Sequence, residues 1–357
     1  MSLIVFRADA GSMIGSGHVM RCLALVPGFT QQGWSVGFAA TEETFSAVAA
    51  LSVAPVEKLA LPAEVEVEPE AVAKRWPEGA DILVVDHYER DVSFEHACRP
   101  WAKRIVVIDD LANRQHDAEL LVDAAARSTA TYRDLVGPIC KVLVGSEYAI
   151  VDPKFCLARE RALKRRNGRP VGRVLVSFGQ IDAANATERA IAALKALGFG
   201  GCVDIVLGGA APHLSAIEAQ ITERMRLHVD TTSMAVLMTE ADLAIGAGGV
   251  TAWERCCVGL PSAIATVAGN QIGSVESIVG KGAGIAIGQL DPNFQVRLSN
   301  ALNRLLSDGQ LRAAVAKSAA LLVDGRGLDR IVEVLTRTNG ELSIAEPPGF
   351  RAQVGSL

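Results

Sequence analysis

Short apolar runs alternate with segments of helical periodicity along most of the chain, and this alternation restricts the fold more than any other feature of the sequence. The apolar runs occupy residues 3–6, 36–40, 82–85, 105–108 and 142–144 in the first half and residues 174–177, 202–207, 243–245, 263–265 and 284–287 in the second. The helical patterns between them occupy residues 45–50, 185–197, 214–224, 251–258 and 296–307. Uniformly apolar strands that alternate with helices are typical of parallel sheets covered by helices on both faces.

Two breaks interrupt this alternation. Residues 164–173 combine glycine, proline and basic residues directly before a strong strand, which is typical of an interdomain linker. Residues 64–70 carry four glutamates and predict a solvated loop followed by a helix start. A length of 357 residues suits two domains. The sequence therefore predicts two doubly wound, Rossmann-like α/β domains facing each other across a cleft, at 1–165 and 166–340, with an irregular tail at 341–357.

The composition excludes several classes of function. A net charge of −5, without aromatics among the basic residues of the linker, argues against a nucleic-acid partner. No apolar run reaches the roughly 18 residues of a membrane span, and the N-terminus lacks the pattern of a signal peptide, so we expect a cytoplasmic protein. The seven cysteines form no CxxC motif and predict reduced thiols rather than disulfides or a zinc site. We expect no metal, no cofactor and a monomer.

The first glycine-rich turn follows the strand at residues 3–6 and leads into a helix that carries a histidine at its start. Gly15 and Gly17 leave room for a ligand to approach the backbone, and His18 follows directly. The positive end of the helix disfavours an imidazolium, so the ring stays neutral and can accept a proton near pH 7. We interpret His18 as a general base. The alternative, a histidine that only binds the turn, remains open on the sequence alone.

A second strand, glycine turn and helix occupy residues 242–255. The N–H groups at the start of this helix, around Gly248, Gly249 and Thr251, suit a diphosphate. Glu254 lies one turn further on, where it either receives ribose hydroxyls or only complements the helix dipole. The third glycine of the dinucleotide motif and the Walker pattern are both absent, which disfavours nicotinamide and ATP chemistry.

Three further loops place polar residues at the carboxyl ends of strands, the edge that faces the cleft in such folds. Gln180 lies in the loop 177–182, a candidate backbone nest for phosphate or sugar. Asn270 and Gln271 either contact a base or sugar amide or cap the next helix. The pair at 109–110 is either a metal site or, as we favour, one structural aspartate and one helix cap.

Six motifs together resemble the pseudaminic acid pathway hydrolases (the PseG or FlmD family). They lie at residues 7–22, 85–88, 108–111, 145–149, 246–261 and 270–271, and the resemblance extends over residues 3–335. Members of that family release UDP from UDP-2,4-diacetamido-2,4,6-trideoxy-β-L-altropyranose and look like metal-independent GT-B enzymes related to the MurG glycosyltransferase. The resemblance therefore implies a GT-B-like fold and a UDP-sugar substrate.

The resemblance also assigns roles to individual residues. It implies that His18 is the general base and that the other matched positions contact the substrate, with Glu254 on the ribose. Those positions are Gly15, Gly17, Arg21, Tyr88, Gly248, Gly249, Val250, Thr251, Glu254, Asn270 and Gln271. Gln180 lies where the chain departs from the family, which usually has Gly-Gly-Ser/Thr-Asp in place of the altered loop at 177–182. That departure leaves the exact sugar open.

Three functions follow as hypotheses. The leading one is an inverting hydrolase in which water attacks the anomeric carbon and UDP departs, in pseudaminic (nonulosonic) acid biosynthesis for flagellin or other surface glycans. The second is a GT-B glycosyltransferase in which His18 deprotonates an acceptor hydroxyl. The third is a module that binds a sugar nucleotide without turning it over.

Overall fold

The computed structural model describes residues 2–11, 14–126 and 128–336, and the predicted tail at 341–357 lies outside them. It contains two parallel sheets, each with helices on both faces, so the predicted class of two doubly wound Rossmann-like domains is confirmed. Within the described residues, no helix is both long and apolar enough to cross a bilayer.

The first sheet has seven parallel strands in the order β3-β2-β1-β4-β5-β6-β7. Its strands are β1 (Leu3–Ala8), β2 (Ser35–Thr41), β3 (Glu57–Leu61), β4 (Ile82–Asp86), β5 (Ile105–Ile108), β6 (Leu120–Asp123) and β7 (Lys141–Val144). The chain winds outward in opposite directions from β1 and from β4. Such a reversal opens a crevice at the carboxyl ends of the two strands, where α/β proteins bind ligands.

Helices from the first half of the chain cover both faces of this sheet. They are α1 (Gly17–Thr30), α2 (Glu42–Ala47), α3 (Ala49–Val53), α4 (Glu68–Arg75) and α5 (Val92–Cys98). Helix α1 packs its apolar face on β1 and β2 around Phe6, Phe29 and Phe38, each fully buried. The opposite face of the sheet packs against α4 and α5.

The second sheet has six parallel strands in the order β10-β9-β8-β11-β12-β13 and reverses between β8 and β11. Its strands are β8 (Arg173–Ser177), β9 (Cys202–Leu207), β10 (Met225–Val229), β11 (Leu243–Ala247), β12 (Ser262–Thr266) and β13 (Ile285–Gln289). The helices are α7 (Ala186–Ala196), α8 (Leu214–Glu218), α9 (Met234–Glu240), α10 (Val250–Cys257), α11 (Ile272–Gly280), α12 (Phe294–Ser307) and α13 (Gly309–Leu322).

Two helices cross between the halves. Helix α6 (Pro153–Leu163) leads out of the first half and packs against α9 and α10 of the second. Helix α14 (Gly327–Thr336) returns and packs on α1, with Val332 against Gly28. The sequence predicts neither crossing. The predicted boundary between residues 165 and 166 assigns α6 to the first domain and α14 to the second, although each helix packs against the other half.

The segment at residues 64–70 differs in one respect from its prediction as a solvated stretch. A helix does start there, at Glu68, but that side chain is only 1% exposed. Its carboxylate accepts hydrogen bonds from the guanidinium groups of Arg7 and Arg90, at 2.6–3.0 Å. Two buried cations therefore hold a carboxylate that the sequence places in solvent.

Candidate active site

The first glycine turn lies at the carboxyl end of β1, at the point where the strand order reverses. Gly11 and Gly15 exchange backbone hydrogen bonds, and Gly15 has a φ of 72°, in the left-handed region that favours glycine. Helix α1 begins at Gly17, so His18 is its second residue. The turn thus places the imidazole in the crevice, where it is 4% exposed.

His18 contacts a carboxylate that the sequence analysis did not assign to it. Asp86 ends β4 and pairs in register with Ala8 of β1, which brings its side chain beside the start of α1. The His18 Nδ1 to Asp86 Oδ1 distance is 2.5 Å. An ionised carboxylate only accepts hydrogen bonds, so we assign the proton to Nδ1, which leaves the lone pair of Nε2 as a proton acceptor. Within the described residues, Nε2 makes no hydrogen bond.

Asp86 is held ionised by its neighbours. Burial alone would raise its pKa, but the charges of Arg21 and His18 and their hydrogen bonds lower that pKa well below its usual range. Arg21 donates from Nε and Nη2 to Asp86, at 2.5 and 2.6 Å, and from Nη1 to Asp110, at 3.0 Å. The resemblance assigns Arg21 to the substrate. This geometry instead favours a positioning role, because the guanidinium is committed to two carboxylates.

Tyr88 joins this cluster to the second half of the chain. Its ring meets that of His18 edge-on, with centroids 4.3 Å apart. Its hydroxyl oxygen accepts a hydrogen bond from Asn270 Nδ2 across the cleft, at 2.6 Å. Burial, with the negative charge of Asp110, raises the pKa of Tyr88 well above its usual value, so the phenol stays protonated. The structure thus brings together His18, Tyr88 and Asn270, three residues that the resemblance assigns to the substrate site.

The second glycine turn occupies the carboxyl end of β11, where the second sheet reverses. A side chain on Gly246 would place its Cβ 2.3 Å from the Ser177 carbonyl oxygen, and one on Gly248 would lie 2.2 Å from Val275 Cγ2. Only glycine therefore fits at either position. The turn ends at Gly249, the N-cap of α10.

Part of the hydrogen-bonding capacity of this turn is already used by groups within the protein. The Gly248 N–H donates to Ala265 O, at 2.9 Å, and lies 3.2 Å from Gln271 Oε1, which also accepts from Val267 N at 3.1 Å. Gln271 thus shapes the turn, a role that the sequence did not predict. The first N–H groups of α10, at Val250 and Thr251, have no acceptor within the helix and remain for a ligand.

The two glycine turns meet across the cleft. A Cβ on Gly17 would lie 3.2 Å from Val250 Cγ2, so the first residue of α1 approaches the first residue of α10. Both helices point their positive ends into the same space. Two converging helix N-termini favour an anion between them.

Glu254 lies on the first turns of α10, partly exposed, and makes no hydrogen bond or ion pair within the described residues. Burial, together with the negative charge of Asp152, raises its pKa to about 8. A carboxyl group that is largely protonated at neutral pH can both donate to and accept from a hydroxyl. This suits a ribose diol, the role that the resemblance assigns to it.

Gln180 lies in the altered loop between β8 and α7. Its side chain is exposed, and its carbonyl oxygen accepts from Gly208 N at 2.8 Å. Asp182 ends the loop by accepting from the Ala186 and Thr187 N–H groups. No contact joins the Gln180 side chain to the cluster around His18 within the described residues, and its role in binding stays a prediction.

The neighbouring aspartates serve the fold. Asp109 accepts from Ala112 N and from the Tyr132 hydroxyl, at 2.8 and 2.9 Å, and so holds its own turn. Asp110 pairs with Arg21 and caps no helix, so that part of the structural interpretation is wrong. Among the described residues, no three histidine, cysteine or acidic side chains are grouped so as to hold a metal ion.

The chain resembles known proteins at low identity, and no protein family model matches it. The spore coat polysaccharide biosynthesis protein SpsG of Bacillus subtilis is 29% identical over 206 residues, which cover 55% of this chain and 58% of that protein. The UDP-2,4-diacetamido-2,4,6-trideoxy-β-L-altropyranose hydrolase of Campylobacter jejuni is 25% identical over 247 residues, covering 68% of this chain and 83% of that one. The chain thus matches less than two-thirds of SpsG.

Solved structures give the fold. The crystal structure of Acinetobacter baumannii MurG superposes with a TM-score of 0.67 over 94% of this chain and 99% of that one, at 16% identity. The chain therefore has the two-domain GT-B fold, as the sequence predicts. At this identity the likeness shows the architecture alone.

Proposed function

We propose that the chain hydrolyses a UDP-sugar, of the UDP-2,4-diacetamido-2,4,6-trideoxy-β-L-altropyranose type, to UDP and the free sugar. The observation that carries this proposal is the juxtaposition of two chemically different sites. A histidine oriented by Asp86 lies on one side of the cleft, and the N-terminus of α10 lies on the other, with Gly17 against Val250.

In this reaction His18 Nε2 accepts a proton from a water molecule as the water oxygen attacks the anomeric carbon. The bond between that carbon and the diphosphate oxygen breaks, and UDP leaves with the electron pair. The N–H groups at the start of α10 stabilise the charge that develops on the diphosphate. Water and leaving group lie on opposite sides of the carbon, so the configuration at C1 inverts.

Water needs a base because it is a poor nucleophile, whereas a nucleotide diphosphate departs as a weakly basic anion without a strong acid. The site matches that asymmetry. Asp86 orients His18 and stabilises the imidazolium that forms, as an aspartate does in a catalytic triad. His18 is the catalytic residue in this proposal, and Asp86 and Arg21 are positioning residues.

The sugar is proposed from the Campylobacter jejuni relative, whose name specifies that substrate and of which the chain covers 83%. The free 2,4-diacetamido sugar would then enter nonulosonic acid synthesis for surface glycans.

The proposal is tested by product analysis. The purified chain is incubated with UDP-2,4-diacetamido-2,4,6-trideoxy-β-L-altropyranose, UDP-N-acetylglucosamine and UDP-glucose, and UDP and free sugar are measured by chromatography and mass spectrometry. We expect equimolar UDP and free sugar from the diacetamido substrate, and loss of most activity in a folded His18→Asn variant. Absence of UDP release from all three substrates would contradict the proposal.

A glycosyltransferase is the second candidate, because the fold superposes on MurG over nearly the whole chain. In that case His18 would deprotonate an acceptor hydroxyl rather than water. The same assay separates the two functions. A transferase releases UDP only when a sugar or lipid-linked acceptor is added, and its product carries the sugar on that acceptor, whereas a hydrolase needs no acceptor.

A further inference from the structure

Arg255 is a buried cation at the proposed diphosphate site. Its side chain is 2% exposed and lies beneath the carboxyl ends of β8 and β11. Nη2 donates to Ala247 O at 2.6 Å, and Nη1 donates to Thr251 Oγ1 at 3.3 Å. Nε is buried without a partner. Within residues 2–11, 14–126 and 128–336, no carboxylate lies within ion-pair distance of this guanidinium.

Two other arginines without carboxylate partners, the buried Arg312 and the half-buried Arg166, have a different kind of partner. Arg312 donates to Leu305 O, near the end of α12, and Arg166 donates to Met238 O, in the last turn of α9. Both therefore lie at the negative ends of helices, which offset their charge. Arg255 extends toward the N-terminus of its own helix and adds its charge to the positive end of α10.

The adjacent carboxyl group does not neutralise Arg255 at neutral pH. Burial raises the pKa of Glu254 to about 8, so most of it is uncharged there. Burial also lowers the pKa of Arg255, but only to about 10, so the guanidinium stays charged. An isolated buried charge is unfavourable unless it is paired. The positive charge of Arg255 thus has no counter-ion among the residues that the structure describes.

The contact with Thr251 links this charge to the ligand side of the helix. The hydroxyl oxygen of Thr251 accepts from Arg255, so its own proton points away from the guanidinium. Thr251 is the second residue of α10 and is half-buried. Its hydroxyl can therefore donate to an anion at the helix start, beside the unpaired N–H groups.

We propose that Arg255 is a positioning residue whose buried charge is matched by the diphosphate of a bound nucleotide, and which aims the Thr251 hydroxyl at that diphosphate. The ligand class is a nucleoside diphosphate or its sugar ester. The inference rests on the proposed function for the place of the diphosphate. Its test measures binding without turnover, so failure of hydrolysis and failure of this inference are distinguishable.

The test compares Arg255→Met and Arg255→Lys with the wild type, using UDP and uridine as probes. UDP affinity is measured by calorimetry and uridine affinity by competition. We expect Arg255→Met to weaken UDP binding by at least about tenfold, because a desolvated charge partner is lost. Uridine binding should stay at the wild-type level, and Arg255→Lys should recover part of the UDP affinity because it keeps the charge.

Thermal unfolding gives a second readout. An unpaired buried cation opposes folding, so Arg255→Met without ligand should melt at or above the wild-type temperature. Arg312→Met is the matched control, since it removes a buried arginine that helix carbonyls do satisfy. It should melt lower and leave the ratio of UDP to uridine affinity unchanged.

Thr251→Val provides an independent test if Arg255→Met does not fold. This variant should weaken UDP binding about three- to tenfold and leave uridine binding unchanged. The inference is overturned if Arg255→Met or Thr251→Val binds UDP as the wild type does. It is also overturned if UDP and uridine affinities fall together with stability, the result of a purely structural role. A wild type that binds no UDP would overturn it as well.

Discussion

The two strand–turn–helix junctions are built alike but differ in their electrostatics, since one pairs its charges and the other leaves a cation unpaired. At the first junction, two arginines pair with carboxylates: the buried Arg7 with Asp9 and Glu68, and the half-buried Arg21 with Asp86. That junction is electrically balanced and fixes the orientation of a histidine. Glycine turns alone therefore do not decide what a junction binds.

At the second junction, Arg255 has no carboxylate partner among the described residues, and the nearby Glu254 is largely protonated at neutral pH. The partial positive charges at the N-termini of α1 and α10 add to the positive electrostatic potential at this junction. The first junction is therefore suited to proton transfer and the second to binding an anion.

Asp86→Asn should lower kcat about 10²- to 10⁴-fold, because an amide can present its N–H to His18 and favour the wrong tautomer. UDP affinity should not change, because α10 is untouched. Steady-state kinetics with the UDP-sugar and calorimetry with UDP measure the two quantities. A variant that loses UDP affinity and keeps kcat would reverse the roles of the two junctions.

Glu254→Ala should weaken UDP binding by roughly 10- to 100-fold, as expected for lost hydrogen bonds to a carboxyl group. The affinity for 2′,3′-dideoxy-UDP should be the same in the variant and in the wild type, since that ligand lacks the ribose diol. Competition binding with both ligands checks this. If the affinities for both ligands fell equally, Glu254 would act through the dipole of α10 or through the stability of the fold and not by binding the ribose.

Tyr88→Phe should raise KM for the UDP-sugar about two- to tenfold, because it removes the acceptor of the hydrogen bond that Asn270 donates across the cleft. Its effect on UDP affinity should be smaller, since UDP lies at the second junction in this account. Asn270→Ala is the matched variant from the opposite side. If the two substitutions act through one contact, the double variant should be no worse than the worse single one.

The stability of the chain should depend on pH through Glu254. The pKa of Glu254 rises on folding from 4.5 to about 8, so the folded chain holds its proton at higher pH than the unfolded chain. The resulting stabilisation is complete below about pH 4.5 and is lost as the pH rises through 8. Urea unfolding from pH 5 to 9 should show Glu254→Gln gaining stability relative to the wild type as the pH rises. If the free energies of unfolding of the variant and the wild type changed in parallel with pH, Glu254 would be solvated in the folded chain.

The sequence predicts the fold class and ten of the strands because central parallel strands are apolar throughout. Two of the missed strands, β3 and β10, lie at sheet edges and carry charged, exposed residues such as Glu57 and Arg226. The third, β6, has the same length and the same buried pattern as β5, so its omission has no structural reason. Edge strands need only one buried face, so their pattern does not differ from that of a loop.

The sequence predicts those site residues that belong to a local motif. It does not predict the features of the site that depend on contacts between distant parts of the chain. His18 and Gly249 follow from glycine turns next to strands. The partnership of His18 with Asp86 depends on β1 and β4 being neighbours, and residues 68 apart reveal nothing of it by spacing. The burial of Arg255 without a counter-ion likewise depends on how α10 packs on the second sheet.

Isotope labelling shows which bond of the UDP-sugar is broken. The chain is allowed to hydrolyse the UDP-sugar in H₂¹⁸O, and both products are analysed by mass spectrometry. Attack of water on the anomeric carbon, with His18 as base, predicts one ¹⁸O atom in the C1 hydroxyl of the sugar and none in UDP. Label in UDP, with an unlabelled sugar, would mean attack at phosphorus and would contradict the account.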